Sequence, residues 1–121
     1  MEYEYHFSVD FSVPSGIAKI IRVKQGDALS RVFIVDLLRD GEPYIPASGN
    51  STYLRCEKPG GVTVEVLPNN ITGNRALFQI PATATDAPGK CICDICVDDS
   101  GDVLSSESFI VFVHQSPGYV S

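Results

Sequence analysis

Basic residues, tryptophan and long apolar runs are the features that this sequence of 121 residues lacks or has little of. Its 9 Lys and Arg residues are outnumbered by 15 Asp and Glu residues, and the formal net charge is −6. Nucleic-acid-binding proteins and polybasic membrane anchors both depend on clustered Lys and Arg. We therefore expect no nucleic-acid partner.

No apolar run approaches the roughly 18 residues that are needed to span a bilayer. Residues 1–13 alternate between polar and apolar types and lack the basic and apolar regions of a secretion signal. We therefore expect no membrane partner and no export by the standard route. The 44% hydrophobic and 20% charged residues are ordinary for a folded protein, and the length is sufficient for one domain with a core.

Polar and apolar residues alternate along most of the chain, which is the pattern of β-strands that bury one face. The clearest case is the segment 29–39, where Phe33, Val35 and Leu37 share one face. The same alternation predicts further strands at 3–11, 17–24, 52–57, 62–67, 75–80, 90–97, 103–106 and 109–114.

Turn-forming residues separate these segments about every 8–12 residues, which is typical of an all-β sandwich or barrel. We predict an antiparallel β-sandwich of about eight strands, with a closed barrel as the alternative. One helical turn is expected near residues 82–85. The chain is interpreted as a single domain with an N-terminal strand or arm at 1–16, a sandwich core at 17–114 and the start of a linker at 115–121.

The four cysteines allow three interpretations. Cys91, Cys93 and Cys96 lie on one predicted strand, where the first two point to one face and the third to the other. A zinc site takes four converging ligands, which one strand cannot easily supply. We expect free thiols, with a disulfide from Cys56 to Cys91, Cys93 or Cys96, or a metal site, as the alternatives. The favoured interpretation includes no cofactor and no metal site.

No combination of residues marks an enzyme. His6 and His114 lie near opposite ends of the sequence, and neither is accompanied by a recognisable nucleophile and orienting acid. The acidic run at 98–102 has the composition of a calcium loop but lacks the helical flanks and the glutamate of an EF-hand. We interpret this run as a hairpin turn with solvated carboxylates, and we expect no enzymatic activity.

Two predicted strands are apolar on both faces. A strand face that meets water should be polar, so we expect the chain's own aromatic N-terminal segment or another subunit to cover the outer faces of these strands. Aromatic residues are also common anchors of protein interfaces. The candidate interface residues are Tyr3, Tyr5, Phe7, Val32, Ile34, Ile110 and Phe112.

Several short segments follow one another in a characteristic order. They are VKQGD at 23–27, RVFIVDLL at 31–38, DGEPY at 40–44, KPGG at 58–61, PGK at 88–90, DSG at 99–101, VLSS at 103–106 and FIV at 109–111. In this order and spacing the chain resembles the N-terminal domain of the phage baseplate upper protein family, from phages of Gram-positive bacteria. The segment KPGG departs from the family pattern, in which an acidic residue follows the proline, and the cysteine-rich strand is also unusual.

The resemblance implies an immunoglobulin-like module in a phage or prophage virion that is made in the bacterial cytoplasm. Members of the family act as adaptors between the baseplate and host-receptor-binding proteins, often as trimers. Other baseplate or tail proteins and further copies of the chain are therefore the expected partners. The family offers no catalytic residue to transfer.

A carbohydrate-binding or adhesive β-sandwich of a bacterial surface protein is the alternative function. Sugar-binding sites usually present exposed aromatic platforms, but this chain has no tryptophan. Two of its five tyrosines, Tyr3 and Tyr5, lie at the start of the chain, on one predicted strand face with Phe7. The missing secretion signal also favours the adaptor over a surface protein.

Overall fold

The alternating pattern of the sequence is realised as strands in two sheets that face one another across a shared core. The computed structural model describes residues 3–12, 17–24, 31–47, 51–99 and 101–115. Its strands are β1 (Tyr3–Asp10), β2 (Ile17–Lys24), β3 (Arg31–Arg39), β4 (Glu42–Pro43), β5 (Ser51–Glu57), β6 (Thr63–Val66), β7 (Asn70–Thr72), β8 (Arg75–Gln79), β9 (Gly89–Asp99), β10 (Asp102–Ser105) and β11 (Ser108–His114).

The first sheet has the order β1-β3-β8-β7, and β4 pairs with the far end of β3. The second sheet has the order β2-β11-β9-β5-β6, and β10 pairs with β9. This division confirms the all-β sandwich and not the closed barrel. Both sheets are mixed, because β1 runs parallel to β3 and β2 runs parallel to β11. The predicted antiparallel pairing holds for the other described strand pairs, and these two N-terminal strands are the exceptions.

The centre of the core is a cluster of phenylalanines from both sheets. Phe7 on β1 and Phe33 on β3 have ring centroids 6.1 Å apart, and each packs on Phe109 of β11, at 4.9 and 6.0 Å. Such aromatic pairs each contribute about 0.5–1.5 kcal/mol beyond the burial of their area. The cluster therefore joins β1 and β3 of the first sheet to β11 of the second.

Strand β3 has the faces that its sequence predicts. Phe33, Val35 and Leu37 are buried in the core. Val32 lies on the opposite face and is nevertheless only 2% exposed. The predicted start of this strand at residues 29 and 30 lies outside the described residues.

The end of β1 is tied to the turn between β3 and β4. Asp40 and Gly41 both have positive φ, 54° and 78°, as the tight turn of a twisted hairpin requires. Their amides donate to the carboxylate of Asp10, at 3.2 and 2.9 Å, and Ser12 donates to it through its amide and hydroxyl groups. These hydrogen bonds, that of the Ser12 hydroxyl foremost, lower the pKa of Asp10 to about 2. The charged carboxylate of Asp10 therefore joins the end of β1 to the turn between β3 and β4.

Two short strands, β4 and β7, were not predicted from the sequence. A 3₁₀ turn at Ala82–Ala84 occupies the position where one helical turn was expected. No helix in the described part of the chain is long and apolar enough to span a membrane.

Candidate interaction surface

The outer face of the second sheet carries a row of isoleucines across three strands. Ile110 on β11 lies beside Ile20 of β2 on one side and Ile92 of β9 on the other, in direct strand register. Ile20 is 59% exposed and Ile92 is 41% exposed, while Ile110 between them is 7% exposed. Neighbouring strands lie about 4.8 Å apart, so the three side chains form one continuous apolar strip.

Cationic side chains border this strip on one side. Phe112, two residues beyond Ile110, is 36% exposed and lies opposite Arg22 of β2 and Lys90 of β9. The guanidinium carbon of Arg22 lies 5.4 Å from the centroid of the Phe112 ring, within the range of a cation–π contact. Arg22 also donates to Nε2 of His114 at 3.4 Å.

We call this surface the isoleucine face and define it by Ile20, Ile92, Ile110 and Phe112, with Arg22, Lys24, Lys90 and His114 at its border. Within the described residues, neither Lys24 nor Lys90 forms an ion pair. In the part of the chain that the structure describes, the face therefore combines exposed apolar area with lysines that form no ion pair, while exposed Glu57 of β5 lies opposite Ile92 on the other side.

A polar cavity of about 240 Å³ adjoins the face beside Ile92. Arg55 on its wall donates to both carboxylate oxygens of Asp94, at 3.1 and 2.7 Å. This paired hydrogen bonding raises the pKa of Arg55. These two charges satisfy each other, and two further exposed carboxylates lie beside them, because Glu57 also lines the cavity and Glu65 of β6 lies opposite Arg55.

The predicted interface residues do not share one surface. Ile110 and Phe112 lie on the isoleucine face. Val32 and Ile34 lie on the outer face of the first sheet, on the other side of the sandwich, where Ile34 is only partly exposed. The strands that carry the two pairs belong to opposite sheets, which period-two alternation alone does not reveal.

The N-terminal aromatic residues Tyr5 and Phe7 face inward and cover neither outer face. Phe7 is buried between Phe33 and Phe109, so it is a core residue and not an available contact. Tyr5 packs edge-on against Phe33 at 5.7 Å, and its hydroxyl accepts a hydrogen bond from Arg31 at 2.7 Å. The side chain of Tyr3 lies outside the described residues. The N-terminal segment was one of the two expected covers of the outer sheet faces. This alternative was wrong, because β1 is itself an edge strand of the first sheet.

All four cysteines are buried free thiols. Cys56 on β5 lies directly opposite Cys93 on β9. The pKa of Cys56 is raised to about 12: the hydrogen bond with Cys91 favours the thiolate, but the hydrogen bond with Cys93 and burial outweigh it. The hydrogen bond with Cys56, followed by burial, raises the pKa of Cys91. Burial, followed by the carboxylate of Asp94, raises the pKa of Cys96.

The metal and calcium interpretations gain no support from the arrangement of side chains. Across the described ranges, no group of three or more Cys, His, Asp or Glu residues is placed to hold a metal ion. The acidic run at 98–102 is the turn between β9 and β10, where the carboxylate of Asp98 accepts a hydrogen bond from the Gly101 amide at 3.0 Å. This is the hairpin that the sequence predicts.

His6 lies on the outer face of the first sheet and pairs with Asp36 at 2.9 Å. Asp36 also accepts a hydrogen bond from Nε of Arg75 at 2.9 Å, which is the main cause of its lowered pKa. Within the described residues, His6 contacts the carboxylate of Asp36 and no nucleophile. The arrangement is that of a surface ion-pair network.

Ile20 and Ile92 were missed as candidate contact residues. The signal was present in the sequence, because Ile20 precedes Ile21 and Ile92 lies between Cys91 and Cys93. Each position makes a strand apolar on both faces, as at Ile110 and Phe112. What the sequence does not show is that β2 and β9 lie on either side of β11, which turns separate isoleucines into one strip.

The fold is similar to that of the N-terminal domain of ORF48 of phage TP901-1. The TM-score is 0.67 over 92% of this chain and 98% of that chain, and the sequence identity is 13%. No protein-family model and no curated protein matches the sequence. At this identity the likeness establishes a shared sandwich fold.

Proposed function

We propose that this chain is a non-enzymatic structural module of a phage or prophage virion, an adaptor at the baseplate or tail tip that holds host-receptor-binding proteins in position. The observation that carries the proposal is the fold likeness to the N-terminal domain of a phage protein, which extends over nearly the whole of both chains. The ordered sequence segments that resemble baseplate upper proteins support the same assignment.

The isoleucine face is the contact surface that we assign to this adaptor. Protein interfaces combine an apolar centre with a polar rim, and aromatic residues and arginine often carry most of the binding energy. Here the isoleucines and Phe112 form the centre, and Arg22 and Lys90 form part of the rim. The rigid sheet beneath holds these side chains in place without the loss of much conformational freedom on binding.

The chemistry of the described residues is consistent with a role in which nothing is catalysed. The cysteine thiols are buried, and raised pKa values keep Cys56 and Cys91 protonated near neutral pH. A nucleophilic cysteine needs the thiolate form and access to its substrate. The cysteines pack in the core, and His6 pairs with the carboxylate of Asp36 on the surface.

The test is to purify phage particles from the strain that encodes the chain and to search them for it by mass spectrometry. Antibody-gold labelling in the electron microscope then locates it. We expect the chain in the particles, with gold at the end of the tail. Absence from the particles, together with binding of the isolated chain to a glycan array, would replace the adaptor with the carbohydrate-binding alternative.

A further inference from the structure

The isoleucine face is bordered by charges of opposite sign in different places. Arg22 and Lys24 on β2 and Lys90 on β9 lie along one border of the face. The row of isoleucines itself continues on to β5, where exposed Glu57 lies directly opposite Ile92. The apolar row therefore has cationic side chains along one border and a carboxylate at its β5 end.

The β5 end of the row carries an excess of negative charge. Arg55 and Asp94 neutralise each other through two hydrogen bonds, and exposed Glu65 lies opposite Arg55. Among the described residues, neither Glu57 nor Glu65 forms an ion pair, and Lys90, which lies diagonal to Glu57, does not pair with it. Three carboxylates therefore accompany one guanidinium group at this end of the face.

The polar cavity at this end has the size and the lining for one cationic side chain. Its volume of about 240 Å³ is below the roughly 300–1,000 Å³ of sites that bind drug-sized molecules. Glu57, Thr63 and Ser108 lie on its wall, together with the Arg55–Asp94 pair. Within the part of the chain that the structure describes, none of the first three side chains has a hydrogen-bond partner. The cavity therefore offers a carboxylate and two hydroxyl groups to a group that donates hydrogen bonds.

We propose that the isoleucine face binds another protein of the virion, which inserts a lysine side chain into this cavity and places carboxylates over Arg22, Lys24 and Lys90. The aliphatic stem of the inserted lysine packs on Ile92, and its ammonium group donates to Glu57 and to the hydroxyl groups of the wall. Apolar side chains of the partner cover the row of isoleucines. This inference rests on the proposed function, because it names the chemistry of the partner that the face holds.

An ammonium group suits the cavity better than a guanidinium group. The unpaired acceptors lie on three different strands, with Glu57 on β5, Thr63 on β6 and Ser108 on β11. Lysine carries three donors on a compact, flexible end, whereas the planar fork of arginine matches a single carboxylate, as Arg55 matches Asp94. The net charge of −6 acts against a second copy of the chain as the occupant, because like-charged molecules repel each other.

The experiment is crosslinking of purified phage particles with a water-soluble carbodiimide, which joins a carboxylate directly to a lysine amine without a spacer. Mass spectrometry of the digested particles identifies the joined residues. We expect Glu57 to be joined to a lysine of another virion protein, and Lys90 to a carboxylate of the same protein. Exposed Glu42 on β4, which belongs to the first sheet, is the control and should not be joined to that protein.

Charge reversal then tests the contact itself. Glu57→Lys alone, and a change of the crosslinked lysine of the partner to glutamate alone, should each lower the amount of the chain in the particles about tenfold, because like charges then meet. Both changes together should restore it. Glu42→Lys is the matched control and should be incorporated as the wild type is.

Three results would overturn the inference and leave the adaptor role in place. The first is a chain that is present in the particles while Glu57 is joined to no lysine of another protein. The second is a crosslink from Glu57 to a second copy of the chain, and the third is a swapped pair of charges that does not restore incorporation. Absence of the chain from the particles would instead remove the adaptor role, and this inference with it.

Discussion

The ionised carboxylate of Asp10 holds separate parts of the fold together through hydrogen bonds. Its carboxylate accepts hydrogen bonds from Ser12 and from the amides of Asp40 and Gly41, which belong to the turn after β3. The amide of Asp10 donates in turn to the carboxylate of Glu107, in the segment between β10 and β11. One residue thus connects an edge strand, a hairpin turn and the opposite sheet.

Replacement of Asp10 by Asn should lower the free energy of unfolding near neutral pH and remove part of its pH dependence. The folded-state pKa of about 2 lies below the ordinary value of 3.8. The stabilisation is therefore present above pH 3.8 and is lost as the pH falls towards 2. Urea denaturation between pH 2 and 7 should show wild type and variant converging at the acid end. A constant difference at all pH values would contradict the role of the charge, and Asp102→Asn is the exposed control.

The buried cysteines should behave as core residues and not as reactive thiols. The thiolate is the species that attacks a disulfide reagent, and burial and mutual hydrogen bonding raise the pKa of Cys56 and Cys91. We expect an aromatic disulfide reagent at pH 8 to label the native chain no faster than it unfolds, and to label all four thiols in urea. A cysteine at the exposed position Thr72 is the positive control. Rapid labelling of any native thiol would contradict this account.

At the scale of the strands, β1 is a structural element of the sandwich. Its inward residues Phe7 and Val9 are buried, and Phe7 joins the aromatic cluster that connects the sheets. Its outward residue Ser8 is exposed. The strand therefore offers a matched pair of neighbouring positions with opposite environments.

Phe7→Ala should lower the free energy of unfolding by about 3–5 kcal/mol, because it leaves a cavity between the sheets. Ser8→Ala should change it by less than about 0.5 kcal/mol, as surface substitutions usually do. Denaturant unfolding measures both. Equal effects at the two positions would mean that β1 does not pack as described, and the N-terminal segment would again be available as an interface.

The faces of most strands were predictable from the sequence, but the partners of the strands were not. Alternation identifies Phe33, Val35 and Leu37 as one buried face because side-chain direction in a strand depends only on local geometry. Pairing depends on contacts between distant segments. The pattern therefore could not reveal that β1 runs parallel to β3 and β2 parallel to β11. Nor could it reveal that Cys56 lies opposite Cys93, or that the short strands β4 and β7 form.

The candidate site was predictable in part for the same reason. Ile110 and Phe112 stand out in the sequence because both faces of their strand are apolar. Val32 has the same signal, yet it is buried on the other side of the sandwich. The sequence thus identifies strands with two apolar faces, whereas the order β2-β11-β9 decides which of those residues form a surface.

At the scale of the whole molecule, a chain with a net charge of −6 carries Arg22, Lys24 and Lys90 at one border of the isoleucine face, where neither lysine forms an ion pair within the described residues. Overall negative charge keeps copies apart at long range, while contact depends on the local pattern. A surface that joins apolar residues to charges of one sign favours partners with the opposite sign. The isoleucine face, with apolar residues beside cationic side chains, is therefore the feature of the fold that supports a role in assembly.

The most direct test of this role is the incorporation of variants into phage particles in a strain that lacks the native gene. We would compare Ile92→Ser with Phe112→Ser in one chain against Ile45→Ser with Leu67→Ser, which alters more exposed apolar residues away from the isoleucine face. Mass spectrometry of purified particles measures the amount of the chain relative to the other tail proteins. The account predicts that the control is incorporated like the wild type, and that the isoleucine-face variant remains folded and soluble but is lost from the particles. Equal incorporation of both variants would contradict it.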